Sequence, residues 1–229
     1  MKRLILLTLL CLMTGLMAAP VPKPTNKAKI EAIYGDLVDP DGKCDFQLDG
    51  TKLTIDLPGG TEYMCYEEKQ NAPRLTRTVE GDFIITVKCS ADLPNDAEQV
   101  EGRWAEVGCG LYIKPKDSKV QRLGLSDFIY LINNKPKHVQ VVLQPISYGP
   151  SGINFEGTGN SVYVRFSRIG KHTENSYSDD GKTFIKRGWS DTDTGEPYQV
   201  GVYGCSNCTK ATRAILDDFK LEFPKADKK

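Results

Sequence analysis

The chain has 229 residues, and its 30 basic and 30 acidic side chains cancel to a formal charge of zero. That balance excludes a broad basic field of the kind that gathers phosphates, so nucleic acid is not an expected partner. The length suits a single all-β domain with a real hydrophobic core.

The first residues read as an address. Lys2 and Arg3 are followed by an apolar, uncharged run from Leu4 to Ala19, with small residues at Ala18 and Ala19. This is the order of a secretory signal peptide, and the run is shorter than the ~20 residues that span a bilayer. Residues 1–19 are therefore expected to be removed, which implies a secreted or periplasmic protein; a retained anchor is the alternative. Residues 20–30 carry three prolines and three lysines and almost nothing to bury, so they read as an extended spacer. No later stretch has the apolar length of a membrane span. The basic cluster Lys225, Lys228 and Lys229 marks residues 224–229 as a short tail.

Between them, residues 31–223 read as strands bounded by turn residues. Asp39-Pro-Asp-Gly42 is a turn. Phe46, Leu48, Leu53, Ile55 and Leu57 alternate about Asp49-Gly50 as in a hairpin. Phe83–Val87 and Trp104–Ile113 are buried-type strands. Val120–Leu125, Phe128–Ile132 and Val139–Ile146 continue the series. Val162, Val164 and Phe166 share one face of the next strand, and Tyr163 and Arg165 share the other. Ser178-Asp-Asp-Gly181 is a hairpin turn, and Tyr198–Tyr203 is a further strand. Thr209–Phe219 has apolar spacing that fits either a helix or a strand. Strands without intervening helices predict an antiparallel two-sheet sandwich or jelly roll.

Cys11 belongs to the leader, and six cysteines remain: Cys44, Cys65, Cys89, Cys109, Cys205 and Cys208. An even number in an exported chain points to disulfides, although six cysteines allow 15 pairings. The pairing favoured is Cys44–Cys65 and Cys89–Cys109, each joining neighbouring strands, with Cys205–Cys208 closing a tight loop. The Cys205-Ser-Asn-Cys208 spacing also fits a redox pair or half a metal site, but it follows a strand among strands rather than opening a helix.

Several phrases occur together in order: Asp39-Pro-Asp-Gly-Lys-Cys44, Asn71-Ala-Pro-Arg74, Val79-Glu-Gly-Asp-Phe83, Val162-Tyr-Val-Arg-Phe-Ser-Arg168, Gln199-Val-Gly-Val-Tyr203 and Asp217-Asp-Phe219. This order resembles the uncharacterised DUF1349 family over residues 31–223. The resemblance implies a concanavalin A-like lectin and glucanase sandwich, and a strand rather than a helix at the C-terminal end.

No catalytic constellation is evident. Glycoside hydrolysis needs two carboxylates facing one cleft. Glu98 and Glu101 fall in a loop, Glu106 stands alone on its strand, and all three read as solvated charges. No G-x-S-x-G is present, and His138 and His172 read as surface histidines. Asp191-Thr-Asp-Thr-Gly195 has the spacing of early calcium-loop ligands, but the twelfth position is Val202, so an acidic turn is the plainer reading. No cofactor or metal is expected, calcium being the weak exception. Sugar binding needs flat aromatic faces and planar hydrogen-bonding groups. Trp104, Tyr163 and Trp189 supply the first, with Tyr203 as a further stacking surface; Asn71, Arg74, Arg165 and Arg168 supply the second. The expectation is a non-catalytic module that binds carbohydrate or a cell-envelope glycan. A glycoside hydrolase or lyase, and a structural or protein-interaction module, are the alternatives.

Overall fold

The computed structural model describes residues 26–65, 69–94, 96–100, 105–118, 120–132, 135–143, 152–154, 161–191 and 197–224. The expected leader, residues 20–25 of the spacer, Trp104, Glu101 and the tail from Lys225 lie outside the described residues.

Among the described residues, two seven-stranded antiparallel sheets face each other. Strands are numbered in chain order. The first sheet runs β1 (Asp36–Val38), β4 (Arg74–Val79), β13 (Tyr198–Ser206), β6 (Ala105–Pro115), β7 (Gln121–Ile132), β8 (Lys135–Leu143), β9 (Gly152–Asn154). The second runs β12 (Ile185–Ser190), β11 (His172–Ser178), β10 (Ser161–Ile169), β5 (Phe83–Asp92), β14 (Thr212–Glu222), β3 (Lys52–Leu57), β2 (Asp45–Asp49). The all-β sandwich expected from the sequence is the fold observed.

Alternation decides which side chains meet between the sheets. On β10, Val162, Val164 and Phe166 are buried, while Tyr163 and Arg165 are half-buried on the outer face. Phe83 of β5 packs against Phe166 and Tyr198, with ring centroids 5.9 and 5.4 Å away. The hairpin at Asp49-Gly50 forms as expected: Asp49 faces Lys52 in register, and Gly50 takes a left-handed φ of 61°. Glycine carries no steric penalty there, which suits a two-residue hairpin loop. The C-terminal segment is strand β14, inside its sheet between β5 and β3.

Three boundaries differ from the sequence reading. Asn26–Tyr34 is a helix, α1, so residues 26–30 are helical rather than extended spacer. Ile30 and Tyr34, four apart and hence on one helix face, are both buried. The Tyr34 hydroxyl donates to the Thr51 carbonyl at 2.5 Å, and its ring lies 5.0 Å from that of Phe219. Arg77 on β4 donates to the Ile33 carbonyl at 2.9 Å, so α1 ties both sheets at one end. Second, the two strands expected at Val120–Leu125 and Phe128–Ile132 are one, β7. Third, β4 was not apparent as a strand, because Arg77 occupies the inward position opposite Val200.

The six cysteines carry thiols. Cys44 lies beside Asp39 and Tyr63, whereas Cys65 lies beside Arg122 and Arg74, so the Cys44–Cys65 pairing has no support in the fold. Cys89 and Cys109 do meet, but β5 and β6 belong to opposite sheets rather than being neighbours in one.

Candidate functional site

Tyr163, Arg165 and Trp189 share the outer face of the second sheet, as strand register dictates. Arg165 pairs with Ser176 of β11, and Ser176 with Lys186 of β12. Trp189 pairs with Glu174, which in turn faces Ser167. The β11–β12 turn then folds back over part of this face. The Asp180 carboxylate accepts from the Ser178 hydroxyl and from the Lys182 and Thr183 amides, all at 2.8 Å. These bonds to the charged form, the backbone ones first, hold its pKa at about 2. The turn seats Gly181 directly on the Tyr163 ring, where an added Cβ would come within 2.9 Å of it. Lys88 lies 5.5 Å from the ring centroid of Tyr163. The Tyr163 hydroxyl donates to Asp218 at 2.7 Å, and that bond pushes its pKa to about 12. The Arg165 guanidinium lies 3.5 Å from the Phe184 ring centroid, and its Nε donates to Thr86 at 3.2 Å. Tyr163 and Arg165 therefore hold the turn in place rather than forming the open platform expected.

Trp189 is different. Its side chain is 63% exposed on the edge strand β12. The His172 ring is stacked beside it, with centroids 6.1 Å apart and planes 22° apart. Lys186 Nζ lies 5.9 Å from the indole centroid and 2.7 Å from Glu174 Oε2. Glu174 also lies 3.9 Å from His172 Nε2, and His172 Nδ1 meets Asp191 Oδ1 at 2.5 Å. An indole is thus framed by two carboxylates, an ammonium and an imidazole. The alternation of β11 placed His172 and Glu174 on one face; their approach to Trp189 depends on the β11–β12 register, which the sequence does not encode locally.

The remaining expected residues are built into the scaffold. Asn71 clasps the segment before β4: its Oδ1 accepts from the Met64 amide at 3.0 Å, and its Nδ2 donates to the Glu62 carbonyl at 2.8 Å. Arg74 donates to the Gln70 and Ala72 carbonyls at 3.2 and 3.1 Å and lies over the Tyr112 ring. Arg168 is buried, donates to the Gly81 carbonyl at 2.8 Å and lies over Tyr198.

Among the described residues, the outer face of the first sheet is buried around β6 and β13. Glu106, Gly108, Gly110 and Tyr112 alternate outward on β6, beside Tyr203 and Cys205 of β13. Glu106 is 4% exposed, not the solvated charge expected. Ser126 donates to it at 3.1 Å, and the Asn207 side chain accepts from its amide at 2.7 Å. Burial raises the Glu106 pKa against the opposing influence of Arg122, and Glu62 raises it further. Tyr203 is fully buried and its hydroxyl has no hydrogen-bond partner among the described residues. Tyr63 lies alongside β13: its amide donates to the Ser206 carbonyl at 2.7 Å and its carbonyl accepts from the Ser206 amide at 3.0 Å. Met64, Cys65 and Ala72 of the same segment are buried.

A cleft of about 330 Å³ opens elsewhere, at the ends of β2, β3, β5 and β14, lined by Lys43, Asp45, Asp56, Asp92 and Arg213 among others. Arg213 Nε donates to Asp56 at 2.8 Å there. Among the described residues no group of three or more His, Cys, Asp or Glu side chains is arranged to hold a metal ion. Asp180 is committed to its turn, and residues 192–196 of the candidate calcium loop lie outside the described residues.

No family model and no curated protein matches the chain. Solved structures do. A functionally unknown protein from Saccharomyces cerevisiae superposes with a TM-score of 0.51 at 14% identity, covering 83% of this chain and 96% of that one. A marine PL7 alginate lyase from Zobellia galactanivorans gives 0.47 at 9% identity, covering 88% and 92%. A legume lectin-like domain from Entamoeba histolytica gives 0.46 at 11%, covering 86% and 92%. The first of these likenesses shows the fold alone, a sandwich of two antiparallel sheets.

Proposed function

We propose that the protein is an exported, non-catalytic binding module of the DUF1349 type, which recognises carbohydrate on the outer face of the second sheet with Trp189 as the stacking surface. The observation that carries this reading is the 63% exposure of an indole framed by His172, Glu174 and Lys186. A large apolar ring left in water forgoes its burial energy, and this one sits among groups able to donate to and accept from sugar hydroxyls. The flat ring suits the C–H face of a pyranose, and the charged neighbours suit its rim.

The test is binding of the purified protein to a broad glycan array, with calcium and with chelator, alongside Trp189→Ala. Specific binding that falls at least about tenfold in the variant, or about 1.4 kcal/mol, supports the reading. Absence of binding by the parent protein in both conditions refutes it and leaves a protein-interaction module.

A further inference from the structure

Cys89 and Cys109 point into the interior from opposite sheets, and each is 0% exposed. In β5, Cys89 is flanked in register by Val162 and Leu216; in β6, Cys109 is flanked by Leu125 and Gly204. The two thiols are hydrogen-bonded to each other. Each sulfur also reaches the main chain of the facing sheet. Cys109 Sγ lies 3.1 Å from the Ser90 carbonyl and 3.5 Å from that of Ile215, and Cys89 lies against the Leu125 backbone.

Facing sheets ordinarily stand about 10 Å apart, whereas a disulfide needs Cα atoms within roughly 7 Å. The local sequence resolves that mismatch. Gly204, next to Cys109 in register, would place a Cβ only 2.9 Å from the Ala214 Cβ of the second sheet. Ala214 in turn pairs with Ala91, two residues from Cys89. Small residues draw the layers together at this point, and the sulfurs meet there.

We propose that Cys89 and Cys109 form a disulfide that bolts the two sheets together when the protein folds in the presence of a low-molecular-weight disulfide such as oxidised glutathione. The Cys89 thiolate attacks one sulfur of the oxidant, breaking its S–S bond and releasing one thiol. The Cys109 thiolate then attacks the Cys89 sulfur of the mixed disulfide and releases the second thiol. Two protein S–H bonds are lost, one protein S–S bond is gained, and both protons and both electrons leave with the oxidant, now two thiols. With no solvent path to either sulfur, the bond forms as the sheets close, not afterwards. The folded reduced protein holds the pair inert, because burial also pushes the Cys89 thiol well above its ordinary pKa. This inference does not rest on glycan binding, and it is tested without it.

The full chain is unfolded in denaturant with reductant and refolded with and without a reduced–oxidised glutathione couple, and each product is digested without reduction. The expected result is a cross-linked peptide pair containing Cys89 and Cys109 in the oxidised sample, and neither residue reactive to alkylation in the native reduced one. Recovery of Cys89 or Cys109 bonded to a different cysteine, or of both as thiols after oxidative refolding, overturns the proposal. As a second measurement, dithiothreitol lowers the melting temperature of the oxidised parent by more than that of a Cys89→Ala, Cys109→Ala double variant; equal drops overturn it.

Discussion

Replacing Gly201 by alanine probes the pairing of β4 with β13, on which the order of the first sheet depends. Gly201 faces Thr76 of β4 on one side and Tyr112 of β6 on the other. A Cβ there would lie 1.9 Å from the Leu75 carbonyl oxygen and 2.8 Å from both the Leu75 carbonyl carbon and the Thr76 Cα. All three are main-chain atoms, so no side-chain rotation relieves the clash. Carbon–oxygen contacts between strands settle at about 3.3–3.6 Å, so one strand has to move by more than about 1 Å. Overpacking of this kind costs about 1–3 kcal/mol, and a ladder hydrogen bond disturbed by the shift adds about 1 kcal/mol. The stiffer unfolded chain gives back about 0.4–1 kcal/mol. The net loss is about 1–3.5 kcal/mol, which for a chain of this size lowers Tm by about 2–14 °C. Thermal unfolding followed by circular dichroism, with urea unfolding to check that the slope is unchanged, measures it. A Tm within about 1 °C of the parent refutes the register. The strands at issue are far apart in sequence: Gln199 donates to Thr76, 123 positions away, at 3.1 Å.

Two further predictions concern pH. The folded pKa of Glu106 is raised by burial, so the unfolded chain gives up its proton first as pH rises, and stability falls between the ordinary carboxylate range near 4.3 and the folded value. Glu106→Gln removes that loss. Its stability relative to the parent should therefore be greater at pH 7 than at pH 4 in urea unfolding, and a difference that does not change with pH would count against a neutral buried carboxyl. Asp180 runs the other way: its folded pKa is depressed to about 2, so its support for the β11–β12 turn is present above the usual value of about 3.9 and disappears only as pH falls through about 2. A carboxyl carbon titration by NMR should show a midpoint near 2, and a midpoint near 4 would mean that the three bonds to its carboxylate are not made.

Period-two alternation made the sandwich legible wherever a strand has one wet and one dry face, as on β10 and β3. It failed where both faces are dry. The outer side of β6 is as buried as the inner side, so Glu106 looked like a stray surface charge. The glycines at 108 and 110 were the available clue, since they lower that face and leave Glu106 and Tyr112 standing on it. Helix α1 was hidden by the proline-rich composition just before it, although Ile30 and Tyr34 had the right spacing. Placing Tyr163, Arg165 and Trp189 on one face was within reach of pattern reasoning. That a turn twenty residues downstream would settle on the first two and leave the third open was not, because it depends on how Gly181 and Phe184 fold back through tertiary contacts.

The placement of the late strands sets the order in which the molecule can be made. β13 lies between β4 and β6, and β14 lies between β5 and β3. Neither sheet is continuous until residues beyond Tyr198 have been synthesised, so what emerges first is a set of hairpins and unpaired edges. Long-range pairing of this kind is slow and exposes sticky strand edges while it waits. A chain arranged in this way stays pliable for most of its synthesis, the state in which a polypeptide is most easily threaded through a narrow channel, and it locks only when its final strands slot between earlier strands of each layer.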